Sequence, residues 1–369
     1  MVVLTIKELL SAAYMNMRAM DAESMKRETV SFCRILPIAI LASAVLLYNV
    51  ACQRPQTSAL PVQPQAATKK VYTIGHRGAA GLAPENTLAA FARACELGVD
   101  GVELDVLVSA DGETVVYHDF HLNPELTRSP DGQWLDSDEP PAIKDMQLAE
   151  LKAYDVGRLK PGSRYARRYP EQQAADGEHI PTLREVIRLH KKQCNPTSQL
   201  WVEIKTTPEK PGLTPTPEAV SEKVVTLLRS EGVADRARIL SFDWRNLVHV
   251  QKIAPDIATV YLSLEGMRLN NIKPGQPGAS PWMAGLDIDD FSGSIPRAIQ
   301  AAGGRYWAAY YKHVTAASIQ TAHQLGIQVF VWTPDDPSDM KRLIEMSVDG
   351  IITNRPDRLK SVLDVFSSN

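Results

Sequence analysis

Several short apolar runs in this 369-residue chain end in side chains that can do chemistry. The first finishes in His76-Arg77-Gly78, the second carries Glu103-Leu104-Asp105, and a later one closes as Val202-Glu203-Ile204-Lys205. Strand side chains alternate between faces, so Glu103 with Asp105, and Glu203 with Lys205, each share one face. A further run, Val115-Val116-Tyr117, finishes in His118-Asp119. Unpaired charge is costly to bury, so carboxylates gathered at one place must be paired, protonated or holding a cation. All-oxygen ligation suits a hard divalent ion, Mg²⁺ or Ca²⁺. Beside such an ion, His76 and His118 would supply a base and an acid for displacement at phosphorus. The competing reading makes Glu103 and Asp105 solvent-facing charge on an edge strand and His118 a structural histidine. The other histidines, at 121, 179, 190, 249, 313 and 323, fall in loops or helical patterns and are read as structural.

Strands that end on a common side are needed to bring these groups together. Residues 71–75 read as a strand, and 87–97 carry Leu88, Phe91 and Cys95 at helical spacing, with Asn86 or Thr87 as cap and Gly98 as stop. Further strand-like runs lie at 101–108, 200–204, 239–242, 259–262, 306–310, 329–332 and 350–352. Helical patterns at 182–192, 218–230, 245–253, 315–325 and 337–346 stand between most of them. This alternation of period predicts parallel strands with crossover helices. Eight such units in about 290 residues suit a (β/α)8 TIM barrel, with an inserted segment after the His118 strand. Residues 114–118 follow Asp111-Gly112 too closely for a crossover helix. They are expected to run back along the second strand or to sit at an irregular place in the barrel. An open doubly wound sheet lacks its fingerprint, since no GxGxxG follows the first strand.

Composition narrows the partners. The chain is 44% hydrophobic and 22% charged, with 40 Lys plus Arg against 43 Asp plus Glu and a net charge of −3. No strong basic field exists to hold a nucleic acid. Four cysteines are too few for a disulfide scaffold. With no CxxC or metal-ligand spacing, Cys95 and Cys194 are expected to be buried apolar thiols.

The N-terminal region stands apart. Residues 35–48 are apolar and uncharged, about fourteen residues, short for a membrane span and suited to a signal-peptide core. The basic flank Met25-Lys26-Arg27 places the expected translation start at Met25. Leu47-Tyr48-Asn49-Val50-Ala51-Cys52 resembles a bacterial lipobox, with Asn49 where Leu is preferred, and Cys52 is then the acylated residue. Simple cleavage and an uncleaved anchor stay open. Residues 53–70, rich in Pro, Gln, Ala and Ser, read as a flexible tether. The expected organisation is a leader at 1–52, the tether at 53–70 and one barrel domain at 71–363. Its location would be the periplasm or cell envelope, with a lipid anchor to the membrane.

Ile74-Gly75-His76-Arg77-Gly78, Pro84-Glu85-Asn86-Thr87, Glu103-Leu104-Asp105-Val106 and Val116-Tyr117-His118-Asp119 together resemble the signature of glycerophosphodiester phosphodiesterases. The likeness continues through Ile180-Pro181-Thr182-Leu183, Glu203-Ile204-Lys205, Ser241-Phe242, Val331-Trp332-Thr333 and Gly350-Ile351-Ile352-Thr353. It implies a barrel related to phospholipase C phosphodiesterases, with Glu103, Asp105 and Glu203 as ligands of one divalent cation. His76 and His118 would be the acid/base pair, and Arg77 and Lys205 would hold the phosphate, as a guanidinium fork and an ammonium can. The implied reaction hydrolyses a small phosphodiester to sn-glycerol 3-phosphate and an alcohol. Alternatives are lysophospholipase D or sphingomyelinase D-like chemistry on lipids, which needs an apolar groove near the mouth, or a non-enzymatic surface lipoprotein.

Other positions stay ambiguous. Thr333-Pro334-Asp335-Asp336 stands where many family members read Thr-Val-Asn. Trp332 reads equally as a wall against the substrate's alcohol portion and as a core aromatic, and Phe242 as core. Glu85 and Asn86 either touch ligand or fix the first loop, with helix capping expected of Asn86. Arg128 and Arg158 are expected to make exposed ion pairs. The insertion, 120–179, should fold over the barrel mouth. With 266–296, read as a long loop, it would decide which alcohol fits.

Overall fold

The computed structural model describes residues 70–136, 138–266 and 269–367. The leader, Met25, Cys52 and the tether up to residue 69 lie outside the described residues. Eight parallel strands form the frame: β1 (Tyr72–Gly75), β2 (Gly101–Val108), β4 (Gln199–Ile204), β5 (Ala237–Ser241), β6 (Ala258–Ser263), β7 (Tyr306–Tyr310), β8 (Gln328–Trp332) and β9 (Gly350–Thr353). Each pairs with the next around the cylinder, and pairing of β1 with both β9 and β2 closes it. The ninth strand, β3 (Thr114–Val116), runs antiparallel to β2, with Val106 opposite Val116. It takes the edge of β2 beyond the residues that β1 covers, one of the two placements its short connection left.

The helices follow from the sequence periodicity. Helix α1 (Leu88–Glu96) starts at Thr87, whose hydroxyl accepts from Ala90 N. Within the insertion lie the short α2 (Leu148–Leu151) and α3 (Arg164–Arg168). Then come α4 (Leu183–Gln193), opened by a Thr182/Glu185 capping box, α5 (Pro217–Ser230) and α6 (Trp244–Ile253). The last four are α7 (Ile295–Ala301), α8 (Ala316–Gln324), α9 (Pro337–Glu345) and α10 (Pro356–Ser367). The long-loop reading of 266–296 holds among the described residues up to 294: the segment carries one helical turn at Ile288–Phe291 and buries Trp282 and Met283, and only its last two residues belong to α7. Pro296 sits in the first turn of α7, where its missing N–H costs no hydrogen bond.

Two apolar layers hold the frame. One lies between barrel and helices, and the other fills the barrel floor with Ile74, Trp201, Leu240, Val260, Phe330 and Ile352. Trp201 and Phe330 pack with ring centroids 4.5 Å apart. They need room: a Cβ on Gly101 would lie 2.9 Å from the Trp201 ring, and one on Gly350 2.4 Å from Phe330. The insertion has its own core of Leu122, Ile143, Met146, Leu151 and Val156 against Leu107, Val115 and Tyr117. Arg158 makes the exposed ion pair expected of it, with Asp176, whereas Arg128 pairs with Asp155 and Asp176 from a half-buried position.

The cysteine reading requires correction. Cys95 near the end of α1 and Cys194 at the end of α4 are joined in a disulfide across a Cα separation of 4.5 Å. Packing of α1 against α4 brings together thiols 99 residues apart, a proximity that spacing along the chain could not reveal.

Candidate active site

The β2–β4 register positions the acids. Asp105 lies directly opposite Glu203 across the parallel pair, and Glu103 is two residues earlier on the same face. All three are buried, and one carboxylate oxygen from each lies within 4.8 Å of the others. Glu85, from the first loop, joins them against the cations. Arg77 Nη1 donates to Glu85 at 2.6 Å, and Arg77 Nε is 3.4 Å from Asp105. Lys205 Nζ sits 2.9 Å from Glu203 and 3.3 Å from Asp105. Glu85, Glu103, Asp105 and Glu203 therefore face Arg77 and Lys205, a deficit of two positive charges when all are ionised.

The electrostatics record that deficit. Burial pushes the Glu103 carboxyl well above its ordinary range, reinforced by the charges of Asp105 and Glu203. Burial also raises Glu203, against the pull of Lys205. For Asp105 burial acts upward too, but Lys205, His118, Arg77 and a hydrogen bond from Asn86 hold it below the usual carboxylate range. Burial would lower the Lys205 ammonium, yet Glu203 and Asp105 keep it above the usual amine range. An all-oxygen donor set short of two positive charges fits a divalent cation, and Glu103, Asp105 and Glu203 would be its ligands.

The imidazoles are held differently. His76 follows β1, its backbone N–H bonded to Thr353 O on β9, and its Nδ1 lies 2.6 Å from Asn354 Oδ1. Its Nε2 is 3.9 Å from Glu103 Oε2. Burial first, then the neighbouring Arg77 charge, pushes the His76 pKa well below its ordinary value. His118 Nδ1 instead meets a carboxylate, Asp119 Oδ1, at 2.6 Å, and Asn123 Nδ2 holds the other Asp119 oxygen at 2.8 Å. Burial acts to raise Asp119, but its bond to His118 and the charges of His118 and Arg77 keep it well below the carboxylate range.

His76, His118, Arg77, Glu103 and Glu203 line one cavity of about 50 Å³, walled by Phe242 and Trp332. It adjoins a mouth of about 1030 Å³ that adds Lys205, Tyr165 and Arg168 from the insertion, and Leu213, Leu264, Leu269 and Trp282. The insertion does reach the mouth. Trp332 lines the cavity, donates Nε1 to Ala308 O at 3.2 Å and packs edge-on against Phe242 at 5.5 Å. Phe242, read as core, is half-buried and lines both cavities.

Thus His76, His118, Glu103, Asp105, Glu203, Arg77, Lys205 and Trp332 come together, while Cys52 lies outside the described residues. Asn86 corrects its expected role. Thr87 caps α1, and Asn86, at φ +57°, turns its amide to Asp105, donating Nδ2 to Oδ2 at 2.8 Å. Asp119, Asn354 and Asp335 were not singled out. The position of Asn354 just beyond an apolar strand end, like that of His76, was the available signal.

Charge of this kind, sunk at the C-terminal mouth of a (β/α)8 barrel, stands where barrel enzymes carry their active sites, and here it includes an acidic trio able to hold a metal. The model of the glycerophosphoryl diester phosphodiesterase family matches residues 76–358. A glycerophosphodiester phosphodiesterase of Caldanaerobacter subterraneus subsp. tengcongensis is 31% identical over 290 residues, covering 79% of this chain and 96% of the relative. A solved structure from Silicibacter pomeroyi, assigned to the glycerophosphoryl diester phosphodiesterases, superimposes with a TM-score of 0.72 at 34% identity, covering 82% of this chain and 96% of that one. An Oleispira antarctica phosphodiesterase solved with the product sn-glycerol-3-phosphate shares the fold, with a TM-score of 0.57 at 24% identity over 79% of this chain and 96% of its own. The chain belongs to the glycerophosphoryl diester phosphodiesterase family, and it is an enzyme of the phosphoric diester hydrolase class.

Proposed function

We propose that this enzyme hydrolyses glycerophosphodiesters to sn-glycerol 3-phosphate and an alcohol, using His76 and His118 beside one divalent cation, Mg²⁺ or Ca²⁺. The observation that carries the reading is the meeting of both imidazoles with Glu103 and Glu203 in one cavity. A cation held by Glu103, Asp105 and Glu203 would supply charge stabilisation for the phosphoryl oxygens. Arg77 offers a guanidinium fork to phosphate, and Lys205 an ammonium. His76, half-buried and backed by a neutral amide, is suited to take the proton of the attacking water, or of a substrate hydroxyl whose cyclic phosphate water then opens. His118, backed by the Asp119 carboxylate, is suited to give a proton to the departing alkoxide.

The test is release of choline and glycerol phosphate from glycerophosphocholine by metal-reconstituted protein. His76→Ala and His118→Ala should each lower turnover by about 10²-fold or more, and Glu203→Gln should weaken metal affinity. Full activity in either histidine variant removes that residue from the mechanism. The apolar wall of Leu213, Leu264, Leu269 and Trp282 supports a second reading, lysophospholipase D-like action on a lipid substrate. Choline release from lysophosphatidylcholine, compared with glycerophosphocholine, separates the two.

An exported location fits both substrates. It is supported by the signal-like segment, by Cys52 as a lipid-anchor candidate, and by the Cys95–Cys194 disulfide, a bond that persists in oxidising compartments. Mass analysis of the mature N-terminus tests it. Acylated Cys52 is expected, and an intact Met1 or Met25 would overturn export by cleavage.

A further inference from the structure

Asp335 has no part in the chemistry above, yet it stands one side chain away from His76. Its Oδ1 accepts from Asn354 N at 3.0 Å and from Thr353 Oγ1 at 3.1 Å, and its Oδ2 accepts from Asn354 Nδ2 at 2.8 Å. A carboxylate that accepts from these donors identifies the nitrogen end of the Asn354 amide. The opposite end, Oδ1, is the atom 2.6 Å from His76 Nδ1. A carbonyl oxygen only accepts, so Nδ1 must carry the hydrogen, and neutral His76 then keeps its lone pair on Nε2, the nitrogen nearer Glu103. Thr353 and Asn354 are fully buried, and Asp335 O accepts from Arg358 Nη1 at 3.1 Å, so the relay is anchored from behind.

We propose that Asp335 is a positioning residue for the reaction: acting through Asn354, it selects the Nδ1–H tautomer of His76 and aims the Nε2 lone pair into the site. The inference rests on the reading of His76 as base. The two ends of an amide are nearly equal in shape, so only the chemistry of residue 335 distinguishes them. With an acceptor-only partner lost, the Asn354 amide can turn over and present Nδ2 to His76. The ring hydrogen would then move to Nε2, and the base would lose its lone pair. The same logic predicts a rescue. In the exchanged pair Asp335→Asn with Asn354→Asp, the residue 354 side chain is a carboxylate that only accepts, and the amide at 335 keeps one oxygen for the two donors on residues 353 and 354.

The experiment combines kinetics on glycerophosphocholine with ¹⁵N NMR of the His76 ring in metal-loaded protein. Wild-type His76 should show the Nδ1–H tautomer. Asp335→Asn should lower kcat by about 10- to 100-fold with KM held within about threefold, and should mix the tautomers. The exchanged pair should restore the Nδ1–H form and most of kcat. A wild-type ring in the Nε2–H form, an Asp335→Asn protein with full kcat, or an exchanged pair no better than the single variant would each overturn the proposal. His76→Ala, measured alongside, separates the two levels. If it is inactive while Asp335→Asn is fully active, positioning alone falls; if it is fully active, the base assignment falls and the positioning role with it.

Discussion

Replacing Asn86 by Gly isolates one interaction at the proposed metal site. The Asn86 amide donates to Asp105 Oδ2 at 2.8 Å and accepts weakly from Asp105 N at 3.4 Å, with both residues buried. A hydrogen bond to a charged group contributes about 1.5–3 kcal/mol net, so losing the orientation of this ligand should weaken cation affinity by roughly 10- to 100-fold. Glycine keeps the φ of +57° without strain. Asn86→Ala removes the same bond but keeps a Cβ in the left-handed region, at a cost of about 1–2 kcal/mol in folding stability relative to the glycine variant. The two variants should therefore match in cation affinity and differ in stability. Isothermal titration with Mg²⁺ or Ca²⁺ reads the first, and urea unfolding of metal-free protein the second. Wild-type cation affinity in Asn86→Gly would refute the argument that this amide holds Asp105 in place.

Other outcomes follow from groups away from the cavity. His190 is buried with Nε2 3.2 Å from Ser198 Oγ, and burial, then Arg236, lowers its pKa to about 4. The unfolded chain takes up that proton near pH 6.5, so His190 contributes fully above 6.5, and its contribution is lost as pH falls toward 4. The stability difference between wild type and His190→Gln should shift by about 2–3 kcal/mol between pH 7 and pH 4.5 in urea titrations, and a constant difference would contradict the burial argument. The Cys95–Cys194 bond closes a separation of 99 residues that spans β2, β3 and the insertion. By loop closure it should contribute about 4–5 kcal/mol, so Cys194→Ser, or reductant on the wild type, should lower unfolding free energy by up to that amount with kcat little changed. Free thiols at both positions in unreduced, denatured protein would contradict the pairing.

The candidate site was legible because charge at the end of an apolar strand is expensive to leave unexplained. His76, Glu103, Asp105, Glu203 and Lys205 all stand out on that ground, and the parity of the strand faces correctly grouped the acids. Asn86 was misread because Asn and Thr are both good N-caps, and only the left-handed turn at Asn86 shows which one reaches the helix. Helix α7 was hidden because Pro296 breaks a helix interior but suits its first turn. The disulfide and the Asp335–Asn354–His76 relay depend on which elements become neighbours in space, information that no local spacing carries.

The central claim is that one divalent cation sits among Glu103, Asp105 and Glu203 beside His76. Anomalous diffraction from Mn²⁺-loaded crystals tests it most directly. One strong peak within roughly 2.0–2.6 Å of an oxygen from each of the three carboxylates is the predicted result. A fully loaded, active crystal whose metal peak lies elsewhere would contradict the account.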